Sequence, residues 1–153
     1  MANTYSQILL QFIITVKHRE AMISPSWETE LYKYITGIIT RKDQKLIAIN
    51  GMPDHLHILV GMKADMKPSD LMMEIKKCTN AFIKEKKFTK FPFYWQEGYG
   101  VFSYSRWDLE KVRNYVMNQK QHHAKKTFKD EYLELLKEFE IEFKNEYLFE
   151  FLD

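Results

Sequence analysis

"INGMPDHLHILVGM", residues 49–62, is the stretch whose reading decides the fold. Leu56, Ile58 and Val60 alternate with His55, His57 and Leu59, and side chains two apart on a strand share a face. One face carries an aliphatic set suited to a core. The other carries two imidazoles one repeat apart. Gly51-Met52-Pro53-Asp54 has turn chemistry. Lys45 to Asn50, just before it, is a second strand, so the two segments read as a hairpin.

Working outward, Ile8 to Val16 is rich in branched residues and reads as a central strand, interrupted by Gln11. Ser24-Pro25-Ser26 offers helix-start chemistry, and Trp27, Leu31, Tyr34, Ile35, Ile38 and Ile39 follow at helical spacing to about Thr40. Pro68 and Ser69 open a second helix, apolar at Leu71, Met72, Ile75, Phe82 and Ile83, ending near Lys86. Tyr94 to Tyr104 is aromatic and should include a fourth strand. Ser105 with Asp108 fits a capping box, and a third helix runs to about Ala124. A last helix, roughly Lys129 to Phe139, and an acidic tail complete the chain. The order β-α-β-β-α-β predicts an α+β, ferredoxin-like fold: an antiparallel sheet with two helices on one face. The expected organisation is one domain over 1–153, with the core in 1–104, a helix in 105–124, and a last helix and tail in 125–153. The two histidines fall on the sheet face those two core helices leave bare. A second subunit, a ligand or the extra helices would have to cover it.

The 153 residues suffice for one sizeable core. Cys78 is the only cysteine, which excludes an intrachain disulfide and points to a reducing compartment. No apolar run approaches membrane-spanning length and no leader pattern opens the chain, so the expectation is a cytoplasmic protein without a membrane partner. The net charge of +2 conceals a split. From Asp130 onward there are nine acidic and two basic residues, against 21 basic and 12 acidic before it. A basic body suits a polyanionic partner such as nucleic acid, or simply a solvated lysine-rich surface.

Two imidazoles one strand repeat apart can converge on a divalent metal, or can be ordinary satisfied histidines. "WDLEKVRNYVMNQKQHH", residues 107–123, has its apolar stripe at Leu109, Val112 and Val116. Tyr115 and Gln119, four apart, share another face, and His122 continues that line. Alone, that tyrosine reads as a packing residue with its hydroxyl in water.

Together the segments resemble a family. "MPDHLHILV", "FYWQEGYGVFSYS", "VRNYVMNQKQHHAKKTF" and the closing "YLELL…IEFKNEYL" are similar, in order and spacing, to single-tyrosine transposases of the HUH (His-hydrophobic-His) superfamily. These are the IS200-like transposases of insertion sequences that move as single-stranded DNA, with their REP-associated relatives. The resemblance runs from about Ile8 to Tyr147. It implies that His55 and His57 bind a divalent cation, Mg²⁺ or Mn²⁺, with Gln119 as third ligand and Tyr115 as nucleophile. It implies cleavage and rejoining of single-stranded DNA at hairpin-marked ends through a 5′-phosphotyrosine. It also implies a homodimer whose sites each combine the histidines of one chain with Tyr115 and Gln119 of the other. His122 and His123 recur in the family, and His122 is a candidate DNA contact.

The residue types suit that chemistry. Two imidazoles and an amide oxygen are neutral ligands that preserve a cation's charge and leave positions for phosphate and water. A phenol of ordinary pKa near ~10 is protonated at neutral pH and needs help from its site. The phosphotyrosine bond can be attacked by a DNA hydroxyl, so strands rejoin without ATP. Lys76, Lys77, Lys84, Lys86 and Lys87, with Lys90, are candidate contacts to a hairpin backbone; the alternative is a solvated helix face. Trp95, Tyr99 and Phe102 read as core or dimer contacts ahead of base-stacking. Asp54 reads as turn chemistry ahead of a carboxylate orienting His55. Two other functions stay open: a non-catalytic, domesticated hairpin-binding protein, and a metal-dependent hydrolase using water.

Overall fold

The computed structural model describes residues 3–152. Four strands form one antiparallel sheet: β1 (Ile8–Thr15), β2 (Lys45–Met52), β3 (His55–Met62) and β4 (Gly100–Tyr104), in the order β2-β3-β1-β4. Helices α1 (Glu28–Arg41) and α2 (Pro68–Lys86) complete the ferredoxin-like β-α-β-β-α-β order. Then follow α3 (Leu109–Met117), the single turn α4 (Gln119–His122) and α5 (Phe128–Glu138).

The strand alternation sorts the two faces. Leu10, Phe12 and Ile14 of β1 and Leu56, Ile58 and Val60 of β3 pack with Leu31, Ile35, Ile38 and Ile39 of α1 and Leu71, Met72, Ile75 and Ile83 of α2. The opposite face, expected to be bare of core helices, is covered by the chain's own extra helices. Val112 and Val116 of α3 pack on Leu9, Ala48 and Leu59. Phe128, Tyr132, Leu135 and Leu136 of α5 pack on Ile13 and Phe102, with Phe149 of the tail. Burying an aliphatic side chain such as Val116 contributes about 1.5–3 kcal/mol, so these stripes hold both helices on the sheet. His55 and His57 are thereby fully buried.

Local details depart from the sequence reading. Gly51 and Met52 belong to β2, and only Pro53-Asp54 makes the turn. Gly51 lies opposite Leu56, where a Cβ would sit 2.2 Å from the His55 carbonyl oxygen. That close approach requires glycine. The expected third helix breaks at Asn118 into α3 and α4. Ser105 and Asp108 meet through their side chains at 3.3 Å without capping backbone N–H groups, because a 3₁₀ turn (Arg106–Asp108) precedes α3. Trp95 and Phe102 are buried, and Trp95 Nε1 donates to Thr79 Oγ1 at 2.8 Å, so their surfaces are spent in the core.

Candidate metal and tyrosine site

β3 carries His55 and His57 onto the α3–α5 side, α3 and α4 bring Tyr115 and Gln119, and α5 brings Glu131. All converge within one chain. The ring edge of Tyr115 meets His57 at 5.7 Å between centroids, and the Tyr115 hydroxyl donates to Glu131 Oε2. Gln119, fully buried, donates through Nε2 to the same oxygen at 3.1 Å. Asn50 Nδ2 donates to the Met117 carbonyl, and Lys120 Nζ binds the Gly51 carbonyl at 2.9 Å and Glu28 at 3.1 Å. These contacts pin the tyrosine-bearing segment to its own β2-β3 hairpin. The exchange between two chains that the resemblance implies is not needed to bring Tyr115 to the histidines.

Glu131 is the centre of the cluster, and it carried no role in the sequence reading. Its Oε1 lies 3.1 Å from His57 Nε2, 3.1 Å from His123 Nε2 and 3.6 Å from His55 Nε2. The signal was there: Glu131 lies three residues after Phe128 and four before Leu135, on the buried stripe of α5. His123, singled out in the sequence only by the family resemblance, is carried inward by the turn of α4, with Nε2 3.1 Å from Glu131 Oε1. His122 stays half-buried, its ring 5.3 Å from that of Tyr115 and its Nε2 3.5 Å from Glu131 Oε2.

Each inward imidazole is held from behind at Nδ1. His55 Nδ1 meets Asp54 Oδ1 at 2.7 Å, His57 Nδ1 meets Gln11 Oε1 at 2.6 Å, and His123 Nδ1 meets the Lys126 carbonyl at 2.8 Å. Asp54 is therefore more than turn chemistry: the turn aims its buried carboxylate at the ring of the next residue. Phe128 stacks on His55 with centroids 3.8 Å apart. Oxygen partners at Nδ1 leave the Nε2 nitrogens to face one another and a carboxylate. His55 Nε2 is buried without a hydrogen-bond partner.

That donor set fits a cation. His55, His57, His123 and Glu131 offer ligand atoms within 4.8 Å of one another, the one such group among the described residues. Imidazole nitrogens and an anionic oxygen converging in a buried space could be bridged by a positive ion. Gln119 Oε1, 2.9 Å from His123 Nε2, lies beside them.

The electrostatics follow from burial and this pairing. Burial pushes the His57 pKa down to about 4, which outweighs Glu131. Burial also depresses His55, but its hydrogen bond to Asp54 and the nearby Glu131 carboxylate prevail and hold it above the ordinary value. Burial works to raise Glu131, yet the imidazoles of His123, His55 and His57 gathered around it keep it well below the carboxylate range. Burial, then the charge and hydrogen bond of Glu131, raise Tyr115, whose phenol stays protonated at neutral pH.

The lysines lie elsewhere. α2 packs on the opposite face of the sheet, and Lys76 is committed there, donating to the carbonyls of Gln96 at 2.8 Å and Gly98 at 2.5 Å. Burial lowers its pKa. Lys77, Lys84, Lys86 and Lys87 are exposed, with Lys86 5.9 Å above the Phe82 ring. Two clefts flank α4 instead. One of about 570 Å³ opens beside Asp54, His123 and Lys125, and one of about 510 Å³ beside Asn118, His122 and Lys125.

Fold and site define a class: an α+β domain that holds a tyrosine hydroxyl against a buried imidazole–carboxylate centre able to bind a cation. The chain belongs to the IS200-like transposase family, whose model, described as "Transposase IS200 like", matches residues 4–119. Among solved structures it resembles a "putative transposase" from Deinococcus radiodurans R1, at TM-score 0.62 and 20% identity, over 76% of this chain and 94% of that one. It also resembles a REP-associated tyrosine transposase bound to a REP hairpin, at TM-score 0.59 and 18% identity, over 79% and 72%. No curated protein matches the sequence. The two structures share the fold. No described helix is long and apolar enough to cross a membrane.

Proposed function

We propose that this transposase domain cleaves and rejoins single-stranded DNA at hairpin-marked ends, with Tyr115 as nucleophile. The observation that carries the reading is the Tyr115 hydroxyl held on Glu131 at the edge of the three-histidine cluster. Tyr115 Oη would attack the scissile phosphorus while its proton passes to Glu131 Oε2. The P–O3′ bond breaks and the departing 3′-oxygen takes a proton from solvent water, leaving a 5′-phosphotyrosine and a free 3′-hydroxyl. The reverse attack by a DNA 3′-hydroxyl rejoins strands, because the phosphotyrosine bond retains the energy of the phosphodiester. A divalent cation, Mg²⁺ or Mn²⁺, held by His55 and His57 with Gln119 as third ligand and His123 and Glu131 beside them, would supply Lewis-acid neutralisation of the phosphate. The clefts beside His122, His123 and Lys125 are the routes by which a strand would approach. The hairpin relative supports such a partner, and Lys77, Lys84, Lys86 and Lys87 are exposed for backbone contacts.

The expected homodimer would set Tyr115 of one chain beside the histidines of another. The Lys120 and Asn50 contacts favour the same-chain arrangement.

An adduct gel tests the reading. Wild-type protein with a single-stranded end oligonucleotide and Mn²⁺ should give an SDS-resistant covalent complex, and Tyr115→Phe should give none. An adduct persisting in Tyr115→Phe refutes the assignment. Cleaved product without adduct identifies a water-using hydrolase. Hairpin binding without cleavage, indifferent to His55→Ala, identifies a non-catalytic binder.

A further inference from the structure

We propose that the cleft at the end of α2 is a second contact for single-stranded DNA, in which Phe91 and Tyr94 stack on unpaired bases while Lys84, Lys87 and Lys90 meet the phosphates. This assignment rests on single-stranded DNA being the substrate.

The cleft, of about 460 Å³, lies between the last turns of α2 and the segment that leads to Trp95. Phe91 is 53% exposed and Tyr94 50%. Phe93, between them, turns the other way and is buried against Trp27 and Trp95, with ring centroids 6.3 and 4.9 Å apart. Thr89 Oγ1 donates to the Phe91 carbonyl at 2.7 Å. The segment is thus anchored by its inward ring and presents the two outward rings from a fixed place, so little order has to be gained on binding. Three lysines and no carboxylate stand among the cleft's described lining residues. Lys84 also suits the C-terminus of α2; Lys90, beyond the helix, has no such role. Exposed rings beside cations match one ligand chemistry: a base offers an apolar π-face and its phosphate is an anion. Paired bases keep those faces in the stack, so the occupant is an unpaired strand.

The position of the cleft supports the same occupant. β1 ends with Thr15 opposite His55; beyond it Val16 N donates to the Asp54 carbonyl at 2.8 Å, and Lys17 N to the Tyr94 carbonyl at 2.9 Å. Two backbone hydrogen bonds therefore link Tyr94 to the turn that precedes His55, where the cleft beside Asp54 and His123 opens. Lys17 and His18 are exposed at that edge, with the His18 ring 6.0 Å from that of Tyr94. A strand leaving the cluster by this edge would meet basic side chains and then Tyr94. That route gives the lysines at the end of α2, which packs on the other face of the sheet from Tyr115, a place on the same DNA strand.

The test uses the full chain in EDTA, so that binding is read without cleavage. Fluorescence anisotropy with a labelled oligothymidylate reports affinity and its salt dependence. Phe91→Ala and Tyr94→Ala should each weaken binding about 5–150-fold, the worth of one base–aromatic stack. Tyr94→Phe, which keeps the ring, should stay within about twofold of wild type. Lys84→Ala, Lys87→Ala and Lys90→Ala should each reduce the salt slope by about 0.7. The same oligonucleotide carrying 5-iododeoxyuridine should photo-crosslink to Phe91 or Tyr94, which decides the matter if an alanine variant does not fold. Wild type that binds no oligothymidylate, or affinity unchanged in both alanine variants with no crosslink to either ring, overturns the proposal. A reduced salt slope in the lysine variants with both rings indifferent also overturns it, and identifies a site for phosphates alone. Ring-dependent binding in a protein that forms no adduct refutes the proposed reaction and leaves the cleft standing. An adduct formed by a protein whose binding ignores both rings refutes the cleft alone.

Discussion

Glu131→Ala should destabilise the fold more than its place on a C-terminal helix suggests. The buried carboxylate accepts from Tyr115 and from Gln119 at 3.1 Å, and it faces His57 and His123 at 3.1 Å each. Removing it leaves His57, Gln119 and the Tyr115 hydroxyl without their shared carboxylate, while His123 Nε2 keeps Gln119 Oε1 at 2.9 Å. Deleting one partner of a buried ion pair costs about 3–5 kcal/mol. In a chain of this length 1 kcal/mol moves the melting temperature by about 2–4 °C, so a fall of roughly 6–20 °C is expected. Glu131→Gln keeps the volume and one acceptor oxygen. It should cost about 1–3 kcal/mol, the worth of a hydrogen bond to a charged group. Calorimetry in EDTA at neutral pH measures both. If Glu131→Ala melts within about 2 °C of wild type, the carboxylate is not the hub of this cluster and the reasoning fails.

Further expectations are separable from that one. Mn²⁺ at about a hundred times its dissociation constant should stabilise wild type by about 2.7 kcal/mol, and His55→Ala should abolish the shift in a thermal melt. Gly51→Ala, whose Cβ would meet the His55 carbonyl at 2.2 Å, should cost at least the ~1–3 kcal/mol of an overpacked site; denaturant titration with an unchanged midpoint would refute it. In metal-free protein His57 should titrate near 4 and His55 above its ordinary value by NMR. Between pH 6.5 and about 4 the unfolded chain then holds a His57 proton that the folded chain lacks, so this residue's contribution to stability falls as pH drops through that window. Mixing His57→Ala with Tyr115→Phe should restore no adduct if each chain builds its own site. Recovery of activity on mixing would demonstrate exchange between chains.

Much of this protein was legible in its sequence. Strand alternation put Leu56, Ile58 and Val60 on the core face and His55 and His57 on the other, because a period of two leaves no other arrangement. The 3.6-residue stripe of Leu109, Val112 and Val116 marked the face of α3 that packs, and Tyr115 and Gln119 fell together beside it. What covers the histidine face was decided only in three dimensions. Helix α5 docks there because Phe128, Tyr132 and Leu135 bury more apolar surface on Ile13 and Phe102 than they could in solvent. Docking carries Glu131 inward with them. Asp54 looked like ordinary turn chemistry, since a Pro-Asp pair explains itself locally; only the turn's geometry aims the carboxylate at His55 Nδ1. Gln11 looked like an interruption of an apolar strand. Local pattern fixes which way a side chain points, but a buried polar group declares its purpose only when distant segments bring its partners. Tyr104 and His57 reach Gln11 from residues 93 and 46 positions away, which no periodicity encodes.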